Sequence, residues 1–70
     1  MKEISLKSSA LLGGAYDPQR QLLWIDFRTG ERYLYQAVPA DVVEALALAS
    51  SQGQYFNSVI RPRFSFERLS

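Results

Sequence analysis

The stretch Phe27-Arg28-Thr29-Gly30-Glu31-Arg32-Tyr33-Leu34-Tyr35 leaves this chain few ways to fold. Apolar and aromatic residues run up to Gly30 from Gln21 and away from it to Tyr35. Arg28-Thr29-Gly30 suits a three-residue hairpin loop, a type I turn closed by a glycine in the left-handed region. That loop sets a register: Phe27 opposite Glu31, Asp26 opposite Arg32, Ile25 opposite Tyr33, Trp24 opposite Leu34 and Leu23 opposite Tyr35. Asp26 and Arg32 then form an opposite-charge cross-strand pair, worth about 0.2–1 kcal/mol. Side chains alternate across a strand, so Leu23, Ile25, Phe27, Tyr33 and Tyr35 share one face and Leu22, Trp24, Asp26, Arg32 and Leu34 the other. The first face is the expected core. The second carries an apolar patch, Leu22, Trp24 and Leu34, where a solvated surface is expected, and such a patch points to an interface.

The segments on either side of the hairpin complete the fold. Residues 1–7 are either a flexible tail or an edge strand, and residues 8–70 form a single domain. Ser8 and Ser9 suit a hydroxyl-to-backbone turn. Ala10 to Tyr16 is a weak strand whose two glycines hint at a bulge or a close backbone approach. Asp17-Pro18-Gln19-Arg20 is a turn. After Val38-Pro39 a helix opens with Asp41 and Glu44 near its N-terminus, and Val42, Ala45, Leu46 and Ala49 mark its buried stripe. Ser50-Ser51-Gln52-Gly53 breaks it and caps a second helix from about Gly53 to Val59. Pro62 stops that helix, and residues 63–69 alternate as a short terminal strand or extended arm. The expected architecture is α+β: a three-stranded antiparallel meander, with a short fourth strand at the C-terminus, covered on one face by two helices.

Composition narrows the chemistry. A 70-residue chain holds one small core and buries roughly 60% of its unfolded surface. It contains no Cys and no His, which removes disulfides, thiol nucleophiles and the usual ligands for zinc, haem and iron–sulfur clusters. No metal or cofactor is expected. Aromatic residues make up 13% of the chain, enough for a packed core. No apolar run approaches the roughly 18 residues that cross a bilayer, and the N-terminus has no secretory apolar segment, so a cytoplasmic protein without membrane contact is expected. Catalysis is not expected either, because the carboxylates fall in a charge pair, a helix start or a turn, and Ser8-Ser9 has no evident base.

The order of these signals resembles the KTSC family, the lysyl-tRNA synthetase C-terminal domain family, over residues 8 to 69. The resemblance is carried by Ser8-Ser9, Tyr16-Asp17, Phe27 with Gly30 and the paired Tyr33 and Tyr35, and Val38-Pro39. It continues through Ala49-Ser50-Ser51-Gln52-Gly53-Gln54-Tyr55-Phe56-Asn57, Ile60-Arg61 and Phe66-Glu67-Arg68-Leu69. It implies a small domain that occurs alone in bacterial and phage proteins and appended to some lysyl-tRNA synthetases, and through that association an RNA partner, either tRNA or single-stranded. This chain looks like a stand-alone bacterial member. It departs from the family at Leu34, where a basic or polar residue is common.

Two functions from different classes follow. The net charge is only +1, but six of the eight cations are arginines and three of these lie in the last ten residues. Arg28, Arg32, Arg61, Arg63 and Arg68, interleaved with Tyr55, Phe64 and Phe66, form a candidate nucleic-acid surface if the C-terminal arm folds back beside the sheet, since the guanidinium fork suits phosphate. Leu22, Trp24 and Leu34 form a candidate protein or homodimer interface. Tyr33 and Tyr35 are placed mainly in the core, with their hydroxyls at its rim.

Overall fold

The computed structural model of this protein describes residues 1–70. Its sheet has five antiparallel strands in chain order, β1 (Lys2–Ser5), β2 (Leu11–Asp17), β3 (Leu22–Phe27), β4 (Arg32–Tyr35) and β5 (Phe66–Arg68). Between β4 and β5 the chain makes α1 (Ala40–Leu48) and α2 (Gln52–Tyr55), and α2 runs on into a π-helical turn, Phe56–Ile60. The α+β class is as expected; the strand count is larger. The terminal strand β5 is the short fourth strand expected, and the fifth is β1, formed by the N-terminal residues for which a tail or an edge strand is expected. β1 buries only Ile4, and only partly, while every residue of β5 is exposed. An edge strand with so little burial has only a weak hydrophobic alternation, which is why residues 1–7 fit a tail as well as a strand. Pairing with the free rims of β2 and β4 creates these strands.

The central hairpin has the register its loop dictates: Leu23 pairs with Tyr35, Trp24 with Leu34, Ile25 with Tyr33 and Asp26 with Arg32. The Phe27 amide donates to the Glu31 carbonyl and the Gly30 amide to the Phe27 carbonyl, both at 2.9 Å, with Gly30 at φ 103°. Asp17 turns the chain between β2 and β3 by accepting from the Gln19 amide at 3.1 Å and the Arg20 amide at 3.4 Å. The glycine pair of β2 sits beside a β-bulge between Leu11 and Gly13, which turns Leu12 out to solvent.

The core lies between the inner sheet face and the helices. Leu6, Leu11, Tyr16, Leu23, Ile25, Tyr35, Val38, Val43, Leu46, Phe56 and Ile60 form one buried cluster. The α1 stripe is rolled by one position from the expected one. Val43 and Leu46 are buried, Val42 is half-buried, and Ala45 is exposed. A valine buries more apolar area than an alanine, so the helix turns Val43 rather than Ala45 to the sheet.

Tyr16 ties the sheet to the entrance of α1, its hydroxyl donating to the Val38 carbonyl at 2.5 Å inside the core. Burial raises the Tyr16 hydroxyl pKa above its ordinary 10, with Asp17 and Asp41 adding in the same direction. Burial also raises that of Tyr35, partly offset by the Arg61 guanidinium. Both groups bind their protons more tightly when folded. Their contribution to stability is therefore complete below pH 10, the unfolded value, and is lost as pH rises through the folded values. Urea midpoints should hold steady from neutrality to about pH 9.5 and fall above pH 10. Tyr16→Phe should make that fall shallower. Midpoints that stay flat to pH 11 would remove the buried-tyrosine account.

Candidate functional site

A cleft opens on the inner sheet face beside the β3–β4 hairpin. It has a volume of about 280 Å³, between the β3–β4 hairpin and the π-helical turn. Its walls are Leu11, Phe27, Tyr33, Tyr35 and Phe56, and its polar lining is Glu31, Asn57 and Arg61. The rings hold one another. Phe27 meets Tyr33 edge-to-face at 5.3 Å and Phe56 at 5.6 Å, and Tyr35 meets Phe56 at 5.4 Å with an interplanar angle of 89°. Such pairs favour a fixed geometry beyond their area burial.

The π-helical turn sets the polar side of the cleft. The Arg61 amide donates to the Phe56 carbonyl at 2.9 Å, five residues back. The wider turn keeps Phe56 and Ile60 buried while Asn57 and Arg61 line the opening. Arg61 Nη1 donates to Asn57 Oδ1 at 3.2 Å. Single π-helical turns inside helices are uncommon and recur at functional sites. Near the start of α2, Gly53 lies close to the Ser8 loop, where an added Cβ would stand 3.0 Å from Ser8 Oγ. Ser8 Oγ also accepts from the Ala10 and Leu11 amides, and Gln52 Oε1 accepts from the Lys7 amide at 2.6 Å. The serine turn thereby anchors the N-terminal segment against the second helix.

Beside the cleft, β5 brings Phe66 onto the same face. Phe66 pairs with Tyr35 and Arg68 with Tyr33. The Phe66 ring lies 5.4 Å from Tyr33 and 5.6 Å from Tyr35, tilted by 34° and 36°, and the residue is 54% exposed. Tyr33 and Tyr35 are themselves stacked at 6.4 Å and 20°. Three rings of similar orientation thus form a tier, with Tyr35 buried, Tyr33 half-buried and Phe66 open. Arg68 Nη2 lies 3.6 Å from Glu31 Oε2.

The candidate arginines do not form one stripe. Arg61 lines the cleft, Arg68 stands next to it through its ion pair with Glu31, and Arg63 is exposed in the turn before β5. Arg32 points to the opposite sheet face, where its Nε lies 3.2 Å from Asp26 Oδ1, because the hairpin register puts it two-fold out of phase with Tyr33. Arg28 is held at the loop end, donating through Nε to the Ser8 carbonyl at 2.7 Å. Tyr55 is a brace between the helices, its hydroxyl donating to the Val42 carbonyl at 3.3 Å and its ring against the core. It is half-buried in that position.

Leu22, Trp24 and Leu34 do share the outer face, in which Ala15, Trp24 and Leu34 form a row across three strands. All three candidate interface residues are half-buried rather than open. The cleft residue Glu31 lies outside the candidate residues, whereas Phe66 is one of the aromatic residues expected beside the arginines. Alternation from Tyr33 already places Glu31 on the inner face, so its carboxylate was findable. Phe66 depended on the placement of β5. No group of three or more metal-ligating side chains comes together in the chain, and no helix is long and apolar enough to cross a membrane.

The fold and the cleft define a small α+β domain with an aromatic, arginine-edged groove at one sheet edge. The chain belongs to the KTSC domain family, which matches residues 7–64. A KTSC domain protein of Yersinia pestis, known from its crystal structure, superposes with a TM-score of 0.89 over 99% of this chain and 97% of its own, at 31% identity. An uncharacterised protein of Stutzerimonas stutzeri is 46% identical over 90% of this chain and 89% of its own length. A lysine–tRNA ligase of Nostoc punctiforme is 45% identical over 80% of this chain, which corresponds to 10% of the ligase.

Proposed function

We propose that this domain is a non-catalytic RNA-binding module of the cytoplasm that takes tRNA or single-stranded RNA along the β4–β5 edge. The observation that carries this reading is the open Phe66 ring, held against Tyr33 and Tyr35 with Arg61 and Arg68 beside it. An aromatic face next to cations is how single-strand binders hold successive bases and their phosphates, each stacked base being worth about 1–3 kcal/mol. The similarity to a segment of lysine–tRNA ligases supports an RNA partner. Phosphate contacts fall to Arg61, Arg63 and Arg68, while Arg28 and Arg32 are engaged elsewhere.

Three phosphate contacts predict a shallow salt dependence, with log K falling against log salt at a slope of about −2. Arg61→Ala combined with Arg63→Ala should flatten that slope to about −0.7. Phe66→Ala should weaken binding about 5- to 150-fold with the slope unchanged. Anisotropy titrations with tRNA and with a labelled single-stranded oligoribonucleotide at low salt measure both. No binding at tens of micromolar protein would end the RNA reading.

The outer face favours a second reading, a protein-interaction or homodimer surface, because Leu22, Trp24 and Leu34 are only half-buried and lie outside the core cluster. Trp24→Lys separates the two: it should abolish such association and leave RNA binding intact. Light scattering that finds a monomer at every concentration removes the homodimer version.

A further inference from the structure

We propose that the cleft between the hairpin and the π-helical turn is a pocket for one guanine base. This deepens the RNA reading and rests on it. At about 280 Å³ the cleft falls just below the roughly 300–1,000 Å³ of sites for drug-sized ligands. That leaves room for a single flat heterocycle. Four aromatic side chains, Phe27, Tyr33, Tyr35 and Phe56, supply the apolar lining, which suits a base turned out of a strand.

The polar groups select among bases. Glu31 is the one carboxylate of the lining, and it is oriented before any ligand arrives. Thr29 Oγ1 donates to Glu31 Oε1 at 2.8 Å, and Arg68 stands 3.6 Å from Oε2. Each carboxylate oxygen can accept more than one hydrogen bond, so both keep capacity to accept. Guanine is the base that presents two adjacent donors, N1–H and the N2 amino group, to such a pair of acceptors. Adenine and cytosine each offer one amino donor beside a ring nitrogen lone pair, which faces the second carboxylate oxygen unfavourably. Uracil offers one N–H flanked by two carbonyls. On the side of the π-helical turn, Arg61 has N–H donors left after its bond to Asn57 Oδ1, and that bond leaves the Asn57 amide nitrogen free to donate. Guanine meets these donors with its O6 and N7 acceptors, the pairing for which an arginine fork is suited. The cleft thus holds acceptors for the N1–H and N2 edge of guanine and donors for its adjoining O6 and N7 edge, and a neighbouring base has Phe66 to stack on.

The test uses four short single-stranded oligoribonucleotides that differ only in one central residue: guanosine, inosine, adenosine or uridine. They are titrated at low salt against the wild-type domain, Glu31→Gln and Phe66→Ala, with circular dichroism confirming that each variant is folded. Guanosine should bind about 10-fold or more tighter than adenosine or uridine. Inosine, which lacks only the N2 amino group, should lose most of that advantage. Glu31→Gln should bring guanosine down to the level of adenosine and leave adenosine unchanged, whereas Phe66→Ala should weaken all four together. Equal binding of all four by the wild type, still sensitive to salt and to Phe66→Ala, would overturn the guanine pocket and leave the RNA reading standing. No binding of any would overturn both.

Discussion

Phe56→Ala should cost about 3–5 kcal/mol and leave much of the domain unfolded at 37 °C. A domain of this length has a total stability of roughly 3.5–10 kcal/mol, so one side chain carries a large share of it. Phe56 is 1% exposed and stands at the junction of α2 and the π-helical turn. Its ring packs edge-to-face on both Phe27 and Tyr35. Truncation removes the transfer energy of the ring, leaves a cavity bounded by the two partners, and forfeits both aromatic contacts. The partners cannot close the gap, because Tyr35 is fixed in the β4 ladder and Phe27 by its bonded turn. Chemical unfolding should show a much lower midpoint with an unchanged slope, and Phe56→Leu should recover part of the loss. A cost below about 1 kcal/mol would mean that the helical layer is not packed on the hairpin as described. The same variant should abolish RNA binding, but only because the cleft wall is gone.

The hairpin was legible because its constraints are local. Three loop residues fix the register, and the register fixes every facing pair from Asp26–Arg32 to Leu23–Tyr35. The turn at Asp17 and the Ser8 turn were legible for the same reason, since each is a side chain bonded to amides two and three residues on. The α1 stripe was off by one position because periodicity alone does not weigh Val43 against Ala45. The cleft was not legible as a site. It joins Phe27, Glu31 and Tyr33 on the hairpin to Asn57 and Arg61 some thirty residues later, and its polar side depends on a π-helical turn that 3.6-residue periodicity does not anticipate. The proposed basic stripe failed on register: Arg32 and Tyr33 are neighbours in sequence and lie on opposite faces of the sheet.

The bulge in β2 leads to the second large effect, at Gly14. This residue pairs with Ile25 of β3, and a Cβ placed on it would collide with the Trp24 carbonyl oxygen and come within 3.2 Å of the carbonyl carbon. The obstacle is backbone of a central strand, so no rotamer change can relieve it. Either β2 and β3 separate locally, losing ladder hydrogen bonds above the core residues Tyr16 and Leu23, or the bulge moves and carries Leu11 out of its buried site. Gly14→Ala should therefore destabilise by about 2 kcal/mol or more, a fall of roughly 8–16 °C in Tm. Gly13→Ala is the control. An added Cβ there meets the Ile4 carbonyl at 3.3 Å, against the edge strand β1, which can shift by the few tenths of an ångström required. Its strain is offset by about 0.4–1 kcal/mol of reduced freedom in the unfolded chain, and its Tm should stay within a few degrees of wild type. Equal Tm values for the two variants would mean that the strands do not approach each other most closely at Gly14. A large gap between them locates the tightest backbone packing of the sheet next to Trp24, so the outer-face row is held rigid from beneath by a glycine.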